Sequence, residues 1–221
     1  MNEPLPILYS FRRCPYAMRA RMALSVTDQT CLLREVVLRD KPAEMLEASS
    51  KGTVPVMVFS NGWVLEESLD IMRWALAIND PESWLTPETG TLDDMLELIE
   101  ENDFPFKDHL DKYKYTTRYE GEDSEHHRTE GGKFLAKLDG MIGEDGYLYG
   151  ARRSLADVAI FPFVRQFANA DRDWFDSQPF EALQSWLEGH LDWDLFAGVM
   201  KKLPKWQTGD AEPVFPFETV G

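Results

Sequence analysis

The segment that most constrains the fold is a short apolar run that passes through a polar turn directly into a helix. Residues 6–9 predict a buried strand, and a helix begins near Cys14 with Pro15 as its first residue. Proline suits the first helical position because its missing N–H would have no intrahelical acceptor there. The segment therefore predicts a strand and a helix joined by a tight turn, with a cysteine at the helix start.

This cysteine lies in a setting that favours a reactive thiol. Cys14 faces the unpaired N–H groups and the positive end of the helix dipole, and Arg12 and Arg13 add positive charge nearby. These conditions favour the thiolate, which is the nucleophilic form of cysteine. The alternative is an ordinary buried and inert thiol. The proline after Cys14 and the two arginines before it favour reactivity.

Composition excludes several classes of partner. The chain has 221 residues, of which 43% are hydrophobic, enough for one large core or two small ones. The net charge of −16 argues against nucleic acid or an anionic membrane surface as a partner. No stretch approaches the ~18 apolar residues of a membrane span, and residues 1–4 lack signal-peptide character. Two cysteines fit a reducing compartment, so the expected location is cytoplasmic.

The N-terminal part of the chain predicts a βαβ unit followed by a ββα unit. The first two strands are expected to be parallel because a long crossover helix joins them. The Asn61-Gly62 pair predicts a hairpin between the last two strands. Together these units predict a mixed four-stranded sheet. The predicted strands cover residues 6–10, 31–38, 51–59 and 64–65, and the predicted helices cover 14–26, 43–48 and 66–78.

The remainder of the chain predicts only helices. A polar, turn-rich segment suggests a first domain over residues 1–79, a linker over 80–90 and an all-helical second domain over 91–221. Ser154 and Asp157 predict a capping box at the start of the most apolar helix. Pro105 is expected to interrupt the first helix of this part. The predicted helices cover 92–104, 106–119, 125–142, 158–168, 180–189 and 192–203, followed by an extended tail from residue 204.

Three motifs in a fixed order carry a resemblance to a known family. They are Cys14-Pro15-Tyr16-Ala17 at a helix start, Val54-Pro55 at the entrance to a strand, and Glu67-Ser68 at a later helix start. With Ser154-x-x-Asp157 and the helical second half, the chain resembles the cytosolic glutathione transferase superfamily, and its first motif resembles the cysteine-containing omega and lambda-like classes. The resemblance implies an α/β thioredoxin-like domain followed by an all-helical glutathione-transferase domain, glutathione as co-substrate, no metal, and a possible homodimer.

The resemblance assigns four roles around the reacting sulfur. Cys14 would be the catalytic thiol that forms a mixed disulfide with glutathione, and Tyr16 would lie beside that sulfur. The backbone of Val54 would pair with the cysteinyl part of the tripeptide. Such pairing requires a cis peptide bond, a state essentially confined to proline, so Pro55 is expected to be cis.

The resemblance also assigns residues to the two ends of glutathione. Ser68 and the helix N-terminus would accept the γ-glutamyl carboxylate, and Glu67 would meet the ammonium group. Lys41 would reach the glycyl end. Without the resemblance, Glu67 and Ser68 are ordinary helix starters, and Lys41 is a solvated loop lysine.

The same motif predicts the type of chemistry. Ala17 occupies the position where a dithiol glutaredoxin has its second cysteine, so a second glutathione must resolve the mixed disulfide. A cysteine attacks disulfides and adducts itself, which favours reduction over conjugation. The prediction is a glutathione-dependent thiol transferase or reductase acting on mixed disulfides, dehydroascorbate-like oxidants or glutathionyl adducts. The alternatives are a non-catalytic protein-binding module of the same fold and a conjugating transferase.

Four further residues receive structural assignments. Asp157 is expected to be a helix cap rather than a catalytic acid, and Cys31 a core thiol. His126 and His127 are expected to face solvent rather than a metal ion. The second substrate is left open, with an aromatic set as candidate contacts: Phe11, Phe106, Tyr113, Tyr115 and Trp174.

Overall fold

The computed structural model describes residues 4–217, which form two compact units. The first unit contains the described residues up to Glu82 and from Trp193 onward, and the second contains Ser83–Asp192. The division predicted from the sequence instead assigned everything after residue 90 to one helical domain. Among the described residues, no helix is long and apolar enough to cross a membrane.

The predicted helices and strands occur in the predicted order, and two further elements, a helix over residues 172–176 and a strand over residues 214–215, were not predicted. The strands are β1 (Ile7–Ser10), β2 (Cys31–Glu35), β3 (Val56–Val58), β4 (Val64–Leu65) and β5 (Val214–Phe215). The helices of the first unit are α1 (Pro15–Val26), α2 (Ala43–Ala48), α3 (Ser68–Ile78) and, late in the chain, α10 (Asp194–Val199). Those of the second unit are α4 (Leu92–Glu101), α5 (Lys107–Lys114), α6 (Ser124–Ile142), α7 (Leu155–Ala168), α8 (Arg172–Asp176) and α9 (Glu181–Leu191).

The first unit contains a mixed sheet with the strand order β4-β3-β1-β2-β5. Strand β1 is parallel to β2 and antiparallel to β3, which confirms the βαβ and ββα units. Helix α1 packs against α3 and α10, and its alanines at 17, 20 and 23 are fully buried. This arrangement places the N-terminus of α1 directly after the carboxyl end of β1, the central strand of the sheet.

The fifth strand was not predicted. The tail beyond α10 is extended, as expected, but it ends by pairing antiparallel to β2, with Cys31 opposite Phe215. The tail also bonds to the other end of β2, where the Trp206 N–H donates to the Glu35 carbonyl at 2.8 Å. An open sheet edge carries unpaired backbone groups, and here the chain's own tail covers it.

The second unit contains a π-helical turn, Asn102–Phe106, between α4 and α5. Pro105 was expected to break the helix, because proline lacks an N–H and clashes with the preceding turn. The chain instead widens into a π-helix and continues, which accommodates the proline without a loop. Helix α5 ends at Lys114, earlier than predicted.

The predicted capping box at the start of α7 is confirmed. The Ser154 N–H donates to Asp157 Oδ2 at 2.8 Å, and the Asp157 N–H points back to Ser154 Oγ at 3.5 Å. Asp157 Oδ1 also accepts from the Leu148 N–H at 2.9 Å and the Trp186 indole at 2.8 Å. Burial raises the pKa of the Asp157 carboxyl, while these donors act to lower it. The geometry fits the structural role assigned to Asp157.

Candidate functional site

Cys14 occupies the N-cap position of α1, one residue before Pro15. Its backbone is extended, with φ −76° and ψ 122°. Its N–H donates to the Phe11 carbonyl at 2.9 Å, which closes the turn after β1. The side chain is half-buried, and Sγ lies 3.6 Å from the Val54 carbonyl oxygen. The thiol is thus close to a second chain segment and at the helix end that favours its anionic form.

The loop before β3 brings Val54 to this cysteine. The Val54–Pro55 bond is cis, which confirms the expectation for Pro55. Gly52 has a φ of +61°, a left-handed conformation that favours glycine. Strand β3 consequently begins at Val56 rather than at residue 51, because the preceding residues form a turn. Val54 and Pro55 are buried, and the Val54 carbonyl faces Cys14.

At the start of α3, Glu67 is the N-cap, but its side chain makes no capping hydrogen bond. It instead pairs with Lys51, whose Nζ also lies 3.5 Å from Glu66 Oε2. The hydrogen bond with Glu67 is the main reason why the pKa of Lys51 is raised. Lys51 was not singled out from the sequence. It is 16 positions from Glu67, and no spacing rule connects a loop lysine with a helix start so far away.

Ser68 is 4% exposed, and Arg19 Nη1 lies 3.5 Å from its hydroxyl oxygen. Arg19 is fully buried in α1, and its guanidinium lies 5.3 Å from the centre of the Tyr16 ring. Arg19 therefore connects two predicted glutathione contacts, Tyr16 and Ser68. The two arginines among the apolar residues of α1, Arg19 and Arg21, were the available sequence signal, because buried arginines need partners.

Lys41 is half-buried in the loop before α2. A Cβ atom built on Gly52 would lie 3.3 Å from Lys41 Nζ. The Lys41 ammonium group is therefore next to the turn that leads into Val54, the residue whose carbonyl faces Cys14. The contacts thus join Cys14 to Val54 and join Tyr16 to Ser68 through Arg19.

A group of buried charges lies behind the Cys14 turn. The Arg12 N–H donates to Glu35 Oε1 at 2.7 Å, and Arg21 Nη2 donates to the Arg12 carbonyl at 2.7 Å. Arg21 Nη1 lies 3.9 Å from Glu35 Oε2. The charge of Arg12 was noted from the sequence, whereas Arg21 and Glu35 were not singled out. The register of β1 and β2, which places Glu35 opposite Ser10, creates this group.

The second cysteine lies in a different setting. Cys31 is fully buried at the start of β2, and burial raises the pKa of its thiol to about 12. This confirms the prediction of a core thiol. Both cysteines are free.

The prediction for the histidines was right for His126, which is exposed, and wrong for His127, which is buried. His127 Nε2 lies 3.0 Å from Glu122 Oε2, and its Nδ1 lies 2.8 Å from Nδ1 of His109. The pairing with His109 on α5 depends on helix packing, which a polar local sequence does not reveal. No group of histidine, cysteine and carboxylate residues in the described part of the chain could hold a metal ion.

One aromatic candidate for substrate contact is wrong. Phe106 is buried at 2% exposure, with its ring 4.8 Å from that of Phe134 and 5.5 Å from that of Phe167. Its neighbour Phe104, on the same π-helical turn, is 67% exposed. The extra residue of a π-turn changes which side chain points outward, and this change was not predicted.

Comparisons with known proteins identify the family of this chain. The N-terminal domain model of glutathione S-transferases matches residues 8–84, and the C-terminal domain model matches residues 121–189. A probable glutathione transferase from Aplysia californica is 33% identical over 70 residues, which cover 32% of this chain and 76% of that protein. The chain belongs to the glutathione S-transferase family.

Solved structures show the same fold at low identity. A glutathione transferase family member from Pseudomonas fluorescens, with two glutathione bound, is 17% identical, with a TM-score of 0.75 over 89% of this chain and 92% of that one. A glutathione transferase from Phanerochaete chrysosporium in complex with oxidized glutathione has the same identity and TM-score, covering 89% of this chain and 94% of that one. This glutathione S-transferase therefore has the thioredoxin-like domain and the helical domain that the resemblance implied.

Proposed function

We propose that this glutathione S-transferase is a glutathione-dependent thiol transferase or reductase that uses Cys14 as a monothiol nucleophile. The observation that carries the proposal is the position of Cys14, half-buried at the N-cap of α1 with Sγ 3.6 Å from the Val54 carbonyl. Ala17, one helical turn further on, is fully buried and offers no second thiol. Cys14 can therefore attack a disulfide, but position 17 has no thiol that could resolve the resulting mixed disulfide.

The proposed reaction has two thiol–disulfide exchanges. The Cys14 thiolate attacks the glutathione sulfur of a mixed disulfide, forms Cys14–S–S–glutathione, and releases the other thiol, which takes up a proton. The thiolate of a second glutathione then attacks the glutathione sulfur of this adduct, which releases oxidized glutathione and regenerates the Cys14 thiolate. The substrate disulfide is reduced, and two glutathione moieties end as one disulfide.

The site residues fit a tripeptide with a charged group at each end. The sulfur of glutathione would lie beside Cys14 and Tyr16, with its cysteinyl backbone along Val54. Ser68, next to the buried Arg19 and at the N-terminus of α3, offers a place for the γ-glutamyl carboxylate. At the other end, the Lys41 ammonium would contact the glycyl carboxylate.

Intact-mass spectrometry after incubation with oxidized glutathione tests the nucleophile. We expect the native protein to gain one glutathione, reversibly on reduction, and the Cys14→Ala variant to gain none. Cys31→Ala is the matched control, because it removes the only other cysteine, and it should behave like the wild type. An adduct that persists in Cys14→Ala and disappears in Cys31→Ala would assign the reactive thiol to Cys31 instead.

An activity panel separates this function from the alternatives. A thiol transferase should reduce a glutathionylated cysteine peptide with Cys14 present and lose that activity in both Cys14→Ala and Cys14→Ser. A conjugating transferase would retain transfer to an electrophile in Cys14→Ser, since a hydroxyl can still donate a hydrogen bond to the glutathione sulfur. A protein-binding module would show neither activity in any variant.

We also propose a homodimer in the cytoplasm as the working state. The resemblance to cytosolic glutathione transferases supports both parts of this proposal, and the two free cysteines fit a reducing compartment. Sedimentation of the purified protein at micromolar concentration tests the assembly, and a monomer would contradict it.

A further inference from the structure

Arg21 and Glu35 form a buried charge pair that the proposed reaction does not use directly. Arg21 is 1% exposed, and Glu35 is 8% exposed. Buried ions are costly to remove from water, so such a pair is retained only where other contacts compensate or where it has a further role. Here both partners bond to the backbone of the same residue, Arg12, in the turn that carries Cys14.

We propose that Arg21 is a positioning residue for Cys14. It holds the turn before α1 and maintains a buried positive charge that favours the Cys14 thiolate, while Glu35 holds the same turn and partly offsets that charge. The proposal rests on the proposed function, because it concerns the same nucleophile.

The geometry of the turn carries the first part of the proposal. Arg21 is seven residues after Cys14 in α1, so both lie on one side of the helix, two turns apart. From there Arg21 Nη2 reaches back to the Arg12 carbonyl at 2.7 Å, and the Arg12 N–H is held by Glu35 at 2.7 Å. The Cys14 N–H closes the same turn through the Phe11 carbonyl at 2.9 Å. Both polar groups of the Arg12 backbone are therefore fixed by this buried pair.

The position of the Arg21 charge carries the second part, because the guanidinium lies 2.7 Å from the carbonyl oxygen of Arg12, two residues before Cys14. Burial lowers the pKa of Arg21 to about 10, while the negative charges of Glu35 and of the Cys14 thiolate act to raise it. The guanidinium therefore remains protonated at neutral pH, and its interaction with the Cys14 thiolate is attractive. Burial raises the pKa of Glu35, and the Arg12 N–H and the Arg21 charge act against this rise.

The other charges near the turn differ in exposure, which provides a matched control. Arg13 is adjacent to Cys14 in sequence but exposed, with its guanidinium 5.3 Å from the centre of the Phe11 ring. Arg12 is half-buried, and its backbone is the part that bonds to the pair. Because water and salt screen an exposed charge much more than a buried one, Arg13 should influence the thiolate less than Arg21 does.

The test measures the rate of Cys14 alkylation by iodoacetamide as a function of pH. Mass spectrometry of the full-length protein is the readout. Arg21→Met should move the midpoint of the profile upward by about one pH unit or more, as expected when an opposite charge close to a group is removed. Arg21→Lys retains the charge and should shift the midpoint less. Arg13→Met, which removes the same net charge from the surface, should leave the midpoint nearly unchanged.

A second variant covers the case in which Arg21→Met does not fold. Glu35→Gln keeps an oxygen that can accept from the Arg12 N–H but removes the negative charge opposite Arg21. It should move the midpoint downward, in the opposite direction to Arg21→Met. A purely structural role predicts lower thermal stability in these variants with unchanged midpoints, and that result would overturn the inference.

The two proposals fail in different ways. A wild-type midpoint at the ordinary cysteine value of ~8.5 would overturn the proposed nucleophile, whatever the variants do. A low wild-type midpoint that Arg21→Met and Glu35→Gln leave in place would overturn only the role of Arg21.

Discussion

Ser68 is the residue at which a capping role and a binding role predict different measurements. Its hydroxyl is buried beside Arg19, and the N-cap of α3 is Glu67, so the structure does not present Ser68 as a cap. A hydrogen bond to a charged group contributes roughly 1.5–3 kcal/mol. If Ser68 holds the γ-glutamyl carboxylate, Ser68→Ala should therefore weaken glutathione binding at least about tenfold.

Calorimetric titration of glutathione in a Cys14→Ala background measures this without mixed-disulfide formation. Glu67→Gln should weaken binding as well, since it removes the charge opposite the ammonium group. Glu66→Gln is the neighbouring control, because Glu66 shares Lys51 with Glu67 but has no assigned contact with glutathione. Equal affinities in Ser68→Ala and its parent would remove Ser68 from the binding site.

His190 should make stability depend on pH in a defined direction. Its ring is buried against Phe161 and Trp186, and its Nδ1–H donates to the Trp186 carbonyl at 2.8 Å. Burial lowers the pKa of His190 to about 3, whereas the unfolded chain binds a proton near pH 6.5. Between these values the unfolded state holds the extra proton, so the free energy of unfolding should decrease by up to about 1.4 kcal/mol per pH unit as pH falls.

The variant His190→Phe keeps the ring packing but cannot titrate. Urea unfolding at several values between about pH 6.5 and about pH 4 should show a weaker pH dependence for the variant than for the wild type. Carboxylates contribute equally to both proteins, so the difference between the two curves isolates His190. Parallel curves would mean that His190 takes up its proton in the folded protein too.

At the scale of helices, α6 contains two adjacent glycines in different environments. A Cβ on Gly131 would lie 2.6 Å from Phe167 Cε2, whose ring packs between Phe106 and Tyr113. A Cβ on Gly132 would meet only Trp174, at an ordinary 3.7 Å. The approach of α6 to α7 therefore depends on the absence of one side chain, at Gly131.

The two alanine variants should change stability in opposite directions. Gly131→Ala should lower the free energy of unfolding by about 1–3 kcal/mol, because a buried ring must move. Gly132→Ala should raise it by about 0.5–1 kcal/mol, since alanine is the better helix former. Urea denaturation of both variants measures this, and a stabilised Gly131→Ala would contradict the close packing of the two helices.

At the scale of the molecule, the first unit is built from both ends of the chain. The tail returns to β2, where the Arg34 guanidinium lies 4.0 Å from the centre of the Trp206 ring and also pairs with Glu212. Lys205 pairs with Asp40 in the loop that carries Lys41. The tail thus contacts both the strand that supplies Glu35 and the loop predicted to bind the glycyl end of glutathione.

Trp206 is the residue of the tail with the largest expected effect. It is 6% exposed and packs against Tyr9 and Arg34. Trp206→Ala should therefore lower the free energy of unfolding by about 3–5 kcal/mol. Trp206→Phe, which retains a ring over the guanidinium, should cost less. Chemical denaturation compares the stability of the two variants. A Trp206→Ala protein as stable as the wild type would contradict the stabilising role of Trp206.

The sequence by itself determined the features that depend on neighbouring residues. Pro15 after Cys14 located the start of α1, and the helix follows the predicted bounds closely. Ser154 and Asp157 located the start of α7 in the same way. Short apolar runs and turn residues predicted the first four strands, because backbone geometry and local capping act within a few positions. The proposal of Cys14 as the nucleophile and the order of the predicted site motifs rest on such local patterns.

Only the tertiary structure decided which distant residues meet. Strand β5 joins β2, and Arg34 meets Glu212, which is 178 positions away. Lys51 meets Glu67, His127 is buried against His109, and Glu35 reaches the Arg12 backbone, none of which has a local sequence signal. The physical reason is that burial and charge pairing depend on the path of the whole chain. The packing of the apolar faces of the sheet and helices sets this path, and the path determines which polar residues become partners.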